Sequence, residues 1–460
     1  MYNESALLTD QYELVMAQGY WELGMAEQEA VFYLAYRSNP FEGDYVIAAG
    51  LAEIIHHLTQ YRFSETDIEY LASLHTDENE VLFQPAFLTY LSQLKFTCDI
   101  DAVIEGTLVQ PREPLVRIQG PIIQCQILET MLINFINFSS LIATKASRIR
   151  LVAGDDPVVE FGLRRAQGPN GGLMASRAAF IGGCDSTSNM LAGKTYGIPV
   201  RGTQAHSWIM AFPDEVTAFH AFANVMKKHT VLLVDTYDTL TGVKHAIEVG
   251  KVLRSKGNDL SAIRLDSGDI TYLSQQAREL LDNAGFHETR IFASGDMDEY
   301  QIQTMKDNHA EINAWGIGTK LVTSYDQPAL NTIYKLAAIR NDDQTWNYKL
   351  KISDQPEKTT LAGIMQVRRY YTQQKFISDV IYDVELGIND AFVPGSDQYE
   401  DLLVPIFRQG KLVYQQPDIS SIRDRTLAQM RHFMQSHHHK YPVTLEKQLR
   451  ELQRSLGADI

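Results

Sequence analysis

"HTVLLVDTYDTLTGVKHAIEVGKVLRSKGNDLSAIRLDSGD" (residues 229–269) decides how this chain folds. The apolar run "HTVLLVD" closes on Asp235, and "DTLTGVKHAIEVGKVLRSKG" after it is amphipathic and of helix length. A second apolar run, "LSAIRLD", then closes on Asp266. Strand, helix and strand in that order make a βαβ unit, with the two strands parallel and the helix covering one face.

The same texture continues on both sides. "DPVVEFG" and "GIPVRGT" lie upstream, and "TRIFASG" and "AWGIGT" downstream. All but the last are followed by helix-length segments such as "DEVTAFHAFANVMKK". Six such strands with no GxGxxG between them favour an irregular parallel α/β barrel over a doubly wound sheet. Before it, a long helix is expected at about 121–152, and residues 31–120 read as antiparallel strands with two helices. At the start, Asp10 and Glu13 in "TDQYELVMAQGYWELGM" suggest a capping box, with Leu14, Ala17 and Trp21 on one face. After residue 340 the alternation gives way to loops and strands and then two terminal helices. The expected domains are an N-terminal α+β domain (1–120), the barrel with the active site (121–340), and a C-terminal extension (341–460) packing on the first.

Composition narrows the function. A net charge of −16 disfavours a nucleic-acid-binding face, and any anionic substrate must be held by a few local cations. Three scattered cysteines without CxxC spacing form neither a disulfide framework nor a zinc site. "PIIQCQILETMLINFINFSSLIATK" is the most membrane-like stretch, but Gln124, Gln126, Glu129, Asn134 and Asn137 interrupt it, so a buried helix is expected. The opening "MYNESALLTD" lacks the basic-then-apolar layout of a secretion signal, and a cytoplasmic protein without a membrane span is expected.

Catalytic groups in parallel barrels project from the C-terminal ends of the strands. Those ends carry Glu160 with Arg164 and Arg165, Thr203 with His206, Asp235, Arg264 with Asp266, Gly295 with Asp296, and Gly318 with Thr319. Aspartates in strand–helix loops commonly cap the next helix, and Asp238, Asp269 and Asp298 stand where caps belong. Asp235, Asp266 and Asp296 are then surplus, which suits metal or sugar-hydroxyl binding. Arg164 and Arg264 read either as partners of these aspartates or as captors of phosphate or carboxylate. The glycines and hydroxyl of "WGIGTKLVTS" suit a phosphate nest, and "GPNGG" (168–172) reads as a lid or a plain connection. Cys184 reads as a small buried residue, while Asp185 beside it is either a site residue or a helix cap. The run "SHHHK" (436–440) lacks a carboxylate pattern and carries little weight as a metal site. Taken together, the ring suits a phosphorylated, hydroxyl-rich substrate with a divalent cation.

Eight segments in order, "LTDQYELVMAQGY", "NPFEGDYVIAAGL", "EFGLRRAQGPNGG", "GGCDSTSN", "GTQAHSW", "RLDSGD", "SGDMDEY" and "GIGTKLVTS", make the chain resemble the nicotinate phosphoribosyltransferases. The resemblance implies the type II phosphoribosyltransferase fold and a homodimer with shared active sites. It also implies ATP-coupled, ligase-like joining of nicotinate to 5-phosphoribosyl 1-diphosphate in NAD salvage, with Mg2+. His206 would be the transient phosphoacceptor, and Tyr12 would reach the partner subunit's site. Phe161 would stack on the pyridine, while Arg164 and Arg264 flank base and phosphates. Asp235, Asp266 and Asp296 would face ribose and magnesium (Asp235 and Asp266 as metal ligands), and Gly318 and Thr319 would hold the 5-phosphate. Thr203, Gly295 and Asp185 complete the expected substrate-binding set. A nicotinamide or quinolinate phosphoribosyltransferase on the same fold is the nearest rival reading.

Overall fold

The computed structural model describes residues 5–355, 358–373, 375–388, 393–436 and 441–458, so the histidines of "SHHHK" lie outside the described residues. Two compact units result: residues 1–141 with 329–460, and residues 142–328. The divisions fall at 141/142 and 328/329 rather than at 120/121 and 340/341. One reason is that Thr332–Arg340 is a strand of the first unit's sheet, pairing antiparallel with Glu29–Tyr36.

The second unit carries six parallel strands: β1 (Val158–Glu160), β2 (Ser186–Thr187), β3 (Val231–Leu233), β4 (Ala262–Leu265), β5 (Arg290–Gly295) and β6 (Ala314–Ile317). Their order is β2-β1-β6-β5-β4-β3. A single cavity of about 770 Å³ touches Val159, Ser186, Val231, Ala262, Phe292 and Ala314, at least one residue from each strand. The strands therefore curve around a common interior, as an irregular barrel does. Val159, Phe292 and Ala314 form a core cluster there, with Phe161 packed against it.

One strand is not where the sequence suggests. "GIPVRGT" gives only an isolated bridge, Thr187 to Val200, whereas the polar "ST" of "GGCDSTSN" makes β2. Pro199 has no N–H to donate, which weakens the apolar run as a ladder strand. The polar one is held from within, since Thr187 Oγ1 donates to the buried Glu160 carboxylate at 2.6 Å. The helices between strands begin on aspartates as expected: Asp238, Asp269 and Asp298 accept from the backbone N–H of Thr241, Tyr272 and Gln301.

The first unit holds a seven-stranded antiparallel sheet that includes Glu29–Tyr36, Asp99–Val103, Val116–Pro121, Thr332–Arg340 and Leu403–Arg408. The first helix, Gln11–Glu22, departs from the capping box, because the Asp10 side chain caps nothing. Glu13 accepts instead from Thr9 and from the backbone and hydroxyl of Thr130, and Asp10 also accepts from Thr130. The membrane-like stretch is two helices, Ile122–Ile127 and Glu129–Ala153; it is long and apolar enough to cross a membrane, but 67% of its most apolar window is buried in the protein. All three cysteines are buried.

Candidate active site

The C-terminal ends of β3, β4 and β5 meet in a charged network. Arg264, near the end of β4, donates from Nη2 to Asp266 Oδ1 at 2.7 Å, from Nε to Ser294 Oγ at 2.6 Å and from Nη1 to Thr203 Oγ1 at 2.8 Å. Its guanidinium also stands 5.6 Å from the centroid of the Phe161 ring. Asp235 Oδ2 accepts from the Asp266 backbone N–H at 2.9 Å and from Ser267 Oγ at 2.7 Å, locking the loop after β3 to the loop after β4. The other Asp235 oxygen, Oδ1, is buried without a protein partner among the described residues. Burial pushes the Asp266 carboxyl up, but the hydrogen bond from Ser294 and the charge and hydrogen bond of Arg264 outweigh it and leave it below the usual carboxylate range.

His206 opens the short helix His206–Met210, with its ring between two polar groups. Nδ1 lies 3.1 Å from Thr236 Oγ1, and Nε2 lies 3.8 Å from Asp266 Oδ2. The side chain is 40% exposed, so the ring is open to a ligand. A cavity of about 350 Å³ borders His206, Phe161, Arg164, Thr203, Arg264 and Asp266. A second, of about 470 Å³, shares Phe161, Arg164, Arg264 and Asp266 and extends to Asp296, Gly318 and Thr319. The larger cavity in the barrel interior shares Phe161 and Thr203 with the His206 cavity and extends to the starts of the strands, without touching His206 or Asp266.

Two glycines are required by close approach. A Cβ on Gly316 would stand 2.7 Å from the Phe292 ring and 2.9 Å from the Phe161 ring, so glycine admits the aromatic wall. Gly295 has φ +128°, and its Cβ would meet the Asp266 carbonyl oxygen at 3.1 Å. Arg164 lies in a 3-10 turn, Leu163–Arg165, and is exposed without a hydrogen-bond or ion-pair partner among the described residues. Lys320 is committed to Asp298 at 2.8 Å, which leaves Thr319 and the backbone of Gly318 to face the cavity.

The structure thus brings together Phe161, Arg164, Thr203, His206, Arg264, Asp266, Gly295, Asp296, Gly318 and Thr319, with Asp235 directly behind Asp266. Glu160 is spent on the fold, since its buried carboxylate accepts from Ser176, Thr187 and the Gly162 N–H. Asp185 does not join the group and is corrected here. It precedes β2 instead of following it, lines the interior cavity, and accepts from the Val158 N–H at 2.8 Å and from Arg150. Nor is it a cap; Asn189 caps the helix Met190–Tyr196. Tyr12 belongs to the first unit, on the helix Gln11–Glu22, where burial and the adjacent Glu129, Glu13 and Asp10 raise its phenol.

Three residues escaped the sequence reading: Thr236, Ser294 and Gln204. The first two are neighbours of Asp235 and Gly295, so their place beside the ring of strand ends was the available signal. Gln204 lines the His206 cavity, and both its amide atoms are buried without a protein partner among the described residues. No three Asp, Glu, His or Cys side chains among the described residues converge as a metal cluster. The donor set suits an ion carried mostly by substrate phosphates, with Asp235 Oδ1 and Asp266 Oδ2 as carboxylate oxygens that accept no hydrogen bond among the described residues.

Comparison with known proteins agrees along the whole length. A family model described as nicotinate phosphoribosyltransferase N-terminal domain matches residues 7–137, the nicotinate phosphoribosyltransferase family model matches 157–382, and the C-terminal domain model matches 389–453. The chain is 40% identical over 437 residues to a nicotinate phosphoribosyltransferase of Bacillus subtilis, covering 91% of this chain and 87% of that protein. The crystal structure of human nicotinic acid phosphoribosyltransferase superposes with a TM-score of 0.82 at 29% identity, over 97% of this chain and 99% of that one. A nicotinate-nucleotide pyrophosphorylase from Pyrococcus furiosus shares the fold, with a TM-score of 0.74 at 24% identity over 94% and 98% of the two chains.

Proposed function

The chain belongs to the nicotinate phosphoribosyltransferase family, and on that premise we propose that it joins nicotinate to 5-phosphoribosyl 1-diphosphate, giving nicotinate mononucleotide and diphosphate. We propose further that ATP hydrolysis drives the reaction through a transient phosphohistidine at His206, in a cytoplasmic homodimer whose Tyr12 completes the partner subunit's site.

The observation that carries this reading is the convergence of His206, Arg264, Asp266 and the exposed Arg164 on two adjoining cavities beside the Phe161 ring. Displacing diphosphate from an anomeric carbon passes through a cation-like sugar, so the site must stabilise charge more than supply a nucleophile to carbon. Phe161 offers a flat face for the pyridine, held from behind by Phe292 at 5.7 Å. Arg164, open to the cavity, is the cation for the nicotinate carboxylate or a phosphate, and it matters in a chain whose net charge is −16. Arg264 is immobilised by four acceptors, so it meets the substrate's anionic groups without reorganising. Asp266 and Asp296 face the sugar hydroxyls, and the Gly318–Thr319 turn takes the 5-phosphate. Magnesium held with the diphosphate by Asp235 and Asp266 would neutralise the leaving group. The His206 imidazole, half-exposed on a fixed helix start, supplies a nitrogen lone pair to the γ-phosphorus of ATP.

A product assay tests this: nicotinate, 5-phosphoribosyl 1-diphosphate and magnesium, with and without ATP, following nicotinate mononucleotide by chromatography. Product that rises with ATP is expected, and turnover of nicotinamide or quinolinate alone would overturn the substrate assignment. His206→Ala is expected to keep weak ATP-independent turnover and lose ATP stimulation. Stimulation undiminished in that variant would remove the phosphoacceptor role.

A further inference from the structure

His206 sits on a five-residue helix whose N-cap, Ala205, offers no capping side chain. The helix is anchored from its far side, where Trp208 Nε1 donates to the Ala218 carbonyl at 3.1 Å. Nothing on the helix itself fixes the rotation of the imidazole. That comes from Thr236, whose hydroxyl lies 3.1 Å from Nδ1.

Thr236 is itself held in place on both sides. The Val234 N–H donates to the Arg264 carbonyl, and the Asp235 carboxylate takes the Asp266 N–H and the Ser267 hydroxyl. Two residues on, Asp238 caps the helix Thr239–Ser255. That helix presses so closely on the strand end that a Cβ on Gly242 would stand 2.1 Å from the Val234 carbonyl oxygen. The hydroxyl thus stands on backbone fixed by two loops and a helix.

The chemistry of the two ring neighbours differs. Asp266 Oδ2 can only accept, whereas a hydroxyl both donates and accepts. With the ring as it stands, both nitrogens face polar groups; turned over, it would set carbon atoms against them. We propose that Thr236 is a positioning residue for phosphoryl transfer to His206, fixing the ring's rotation; the proposal rests on the phosphohistidine reading above. In the step it serves, a ring nitrogen's lone pair forms the N–P bond and the bond from the γ-phosphorus to the β,γ-bridging oxygen breaks. That oxygen's electron pair leaves with ADP, and the ring proton stays on the other nitrogen. A hydroxyl can then turn from the ring to an oxygen of the transferred group, which an apolar side chain cannot do.

The test is the rate of labelling of the full-length protein by γ-32P-ATP, quenched in alkali because phosphohistidine is acid-labile. Thr236→Val and Thr236→Ala are each expected to slow labelling about tenfold, the scale on which removing a residue that orients a histidine acts. The ATP concentration for half-maximal labelling should stay near that of the wild type. Thr236→Ser should restore the rate to within about threefold, as a hydroxyl-dependent role requires. Wild-type-like labelling in Thr236→Val or Thr236→Ala would overturn the proposal, and so would a Thr236→Ser rate no better than theirs. A wild-type protein that takes no label would instead bring down the phosphohistidine reading, and this proposal with it.

Discussion

Two arginine–aspartate pairs, one in each unit, put the same groups to opposite uses. In the first unit Arg369 and Asp379 are fully buried, 0% exposed on both sides, and bonded in parallel at 3.0 and 2.5 Å, with Tyr441 donating to the same carboxylate at 2.8 Å. In the second unit Arg264 and Asp266 remain 13% and 27% exposed and share a single contact at 2.7 Å. Asp266 Oδ2 is left to His206, and Arg264 spreads its other donors over Thr203, Gln204 and Ser294. A closed fork joins strands; an open one leaves oxygens and field for a ligand. Residue type does not distinguish them. Solvent access and the number of acceptors already satisfied do.

The sharpest way to break this comparison is to remove each arginine. Arg369→Leu should lower unfolding stability by about 3–5 kcal/mol in urea titration, because Asp379 is left as an uncompensated buried charge. A loss under about 1 kcal/mol would mean that the closed pair is not a staple. Arg264→Leu should lower kcat/KM about a hundred- to a thousandfold, as loss of one preorganised electrostatic group does, while unfolding stability changes by less than in Arg369→Leu. The reverse pattern would exchange the roles assigned to the two pairs.

The pairs should also answer pH in opposite senses. Asp266 has its folded pKa depressed, so its contribution is complete above the unfolded value near 4 and disappears as pH falls through the folded one. Beside the other pair, burial and the charge of Asp379 push Glu113 well above the usual carboxylate range. Its contribution is complete below the unfolded value, about 4.3, and is lost as pH rises toward the folded one. Glu113→Gln should therefore gain on the wild type as pH rises from 4 to 8 in denaturant titrations, whereas Asp266→Asn should fall further behind as pH rises from 2 to 5. Parallel profiles would refute the contrast. The smallest expected effect is at Gln204, whose buried amide has no protein partner among the described residues. Gln204→Met keeps the volume and removes that burden, so the protein should gain about 1 kcal/mol in thermal unfolding. A loss would show that the amide is satisfied in solution.

Much of this was legible in the chain. The strands ending on Asp235, Asp266 and Gly295 announced themselves because a buried parallel strand is apolar throughout and its polar site residue comes just after. The caps at Asp238, Asp269 and Asp298 were readable because capping is local. β2 was not, since two polar residues make a strand only with Glu160 beneath them to accept the Thr187 hydroxyl. Asp185 misled for a related reason: at the start of so short a strand, one residue decides which end of the barrel a side chain occupies.

The sequence by itself determined the alternation of strand and helix, the ring of charges at the strand ends and the family, because these depend on periodicity and on motifs in order. Only the tertiary structure decided which charges are spent and which remain available. Thr236 is thirty residues from the His206 ring it meets, and Asp266 shares its carboxylate with Arg264 and Ser294 on two strands. A carboxylate accepts a limited number of hydrogen bonds, so each one made within the protein leaves less capacity for a ligand. That competition is settled in space, among groups that no spacing along the chain brings together.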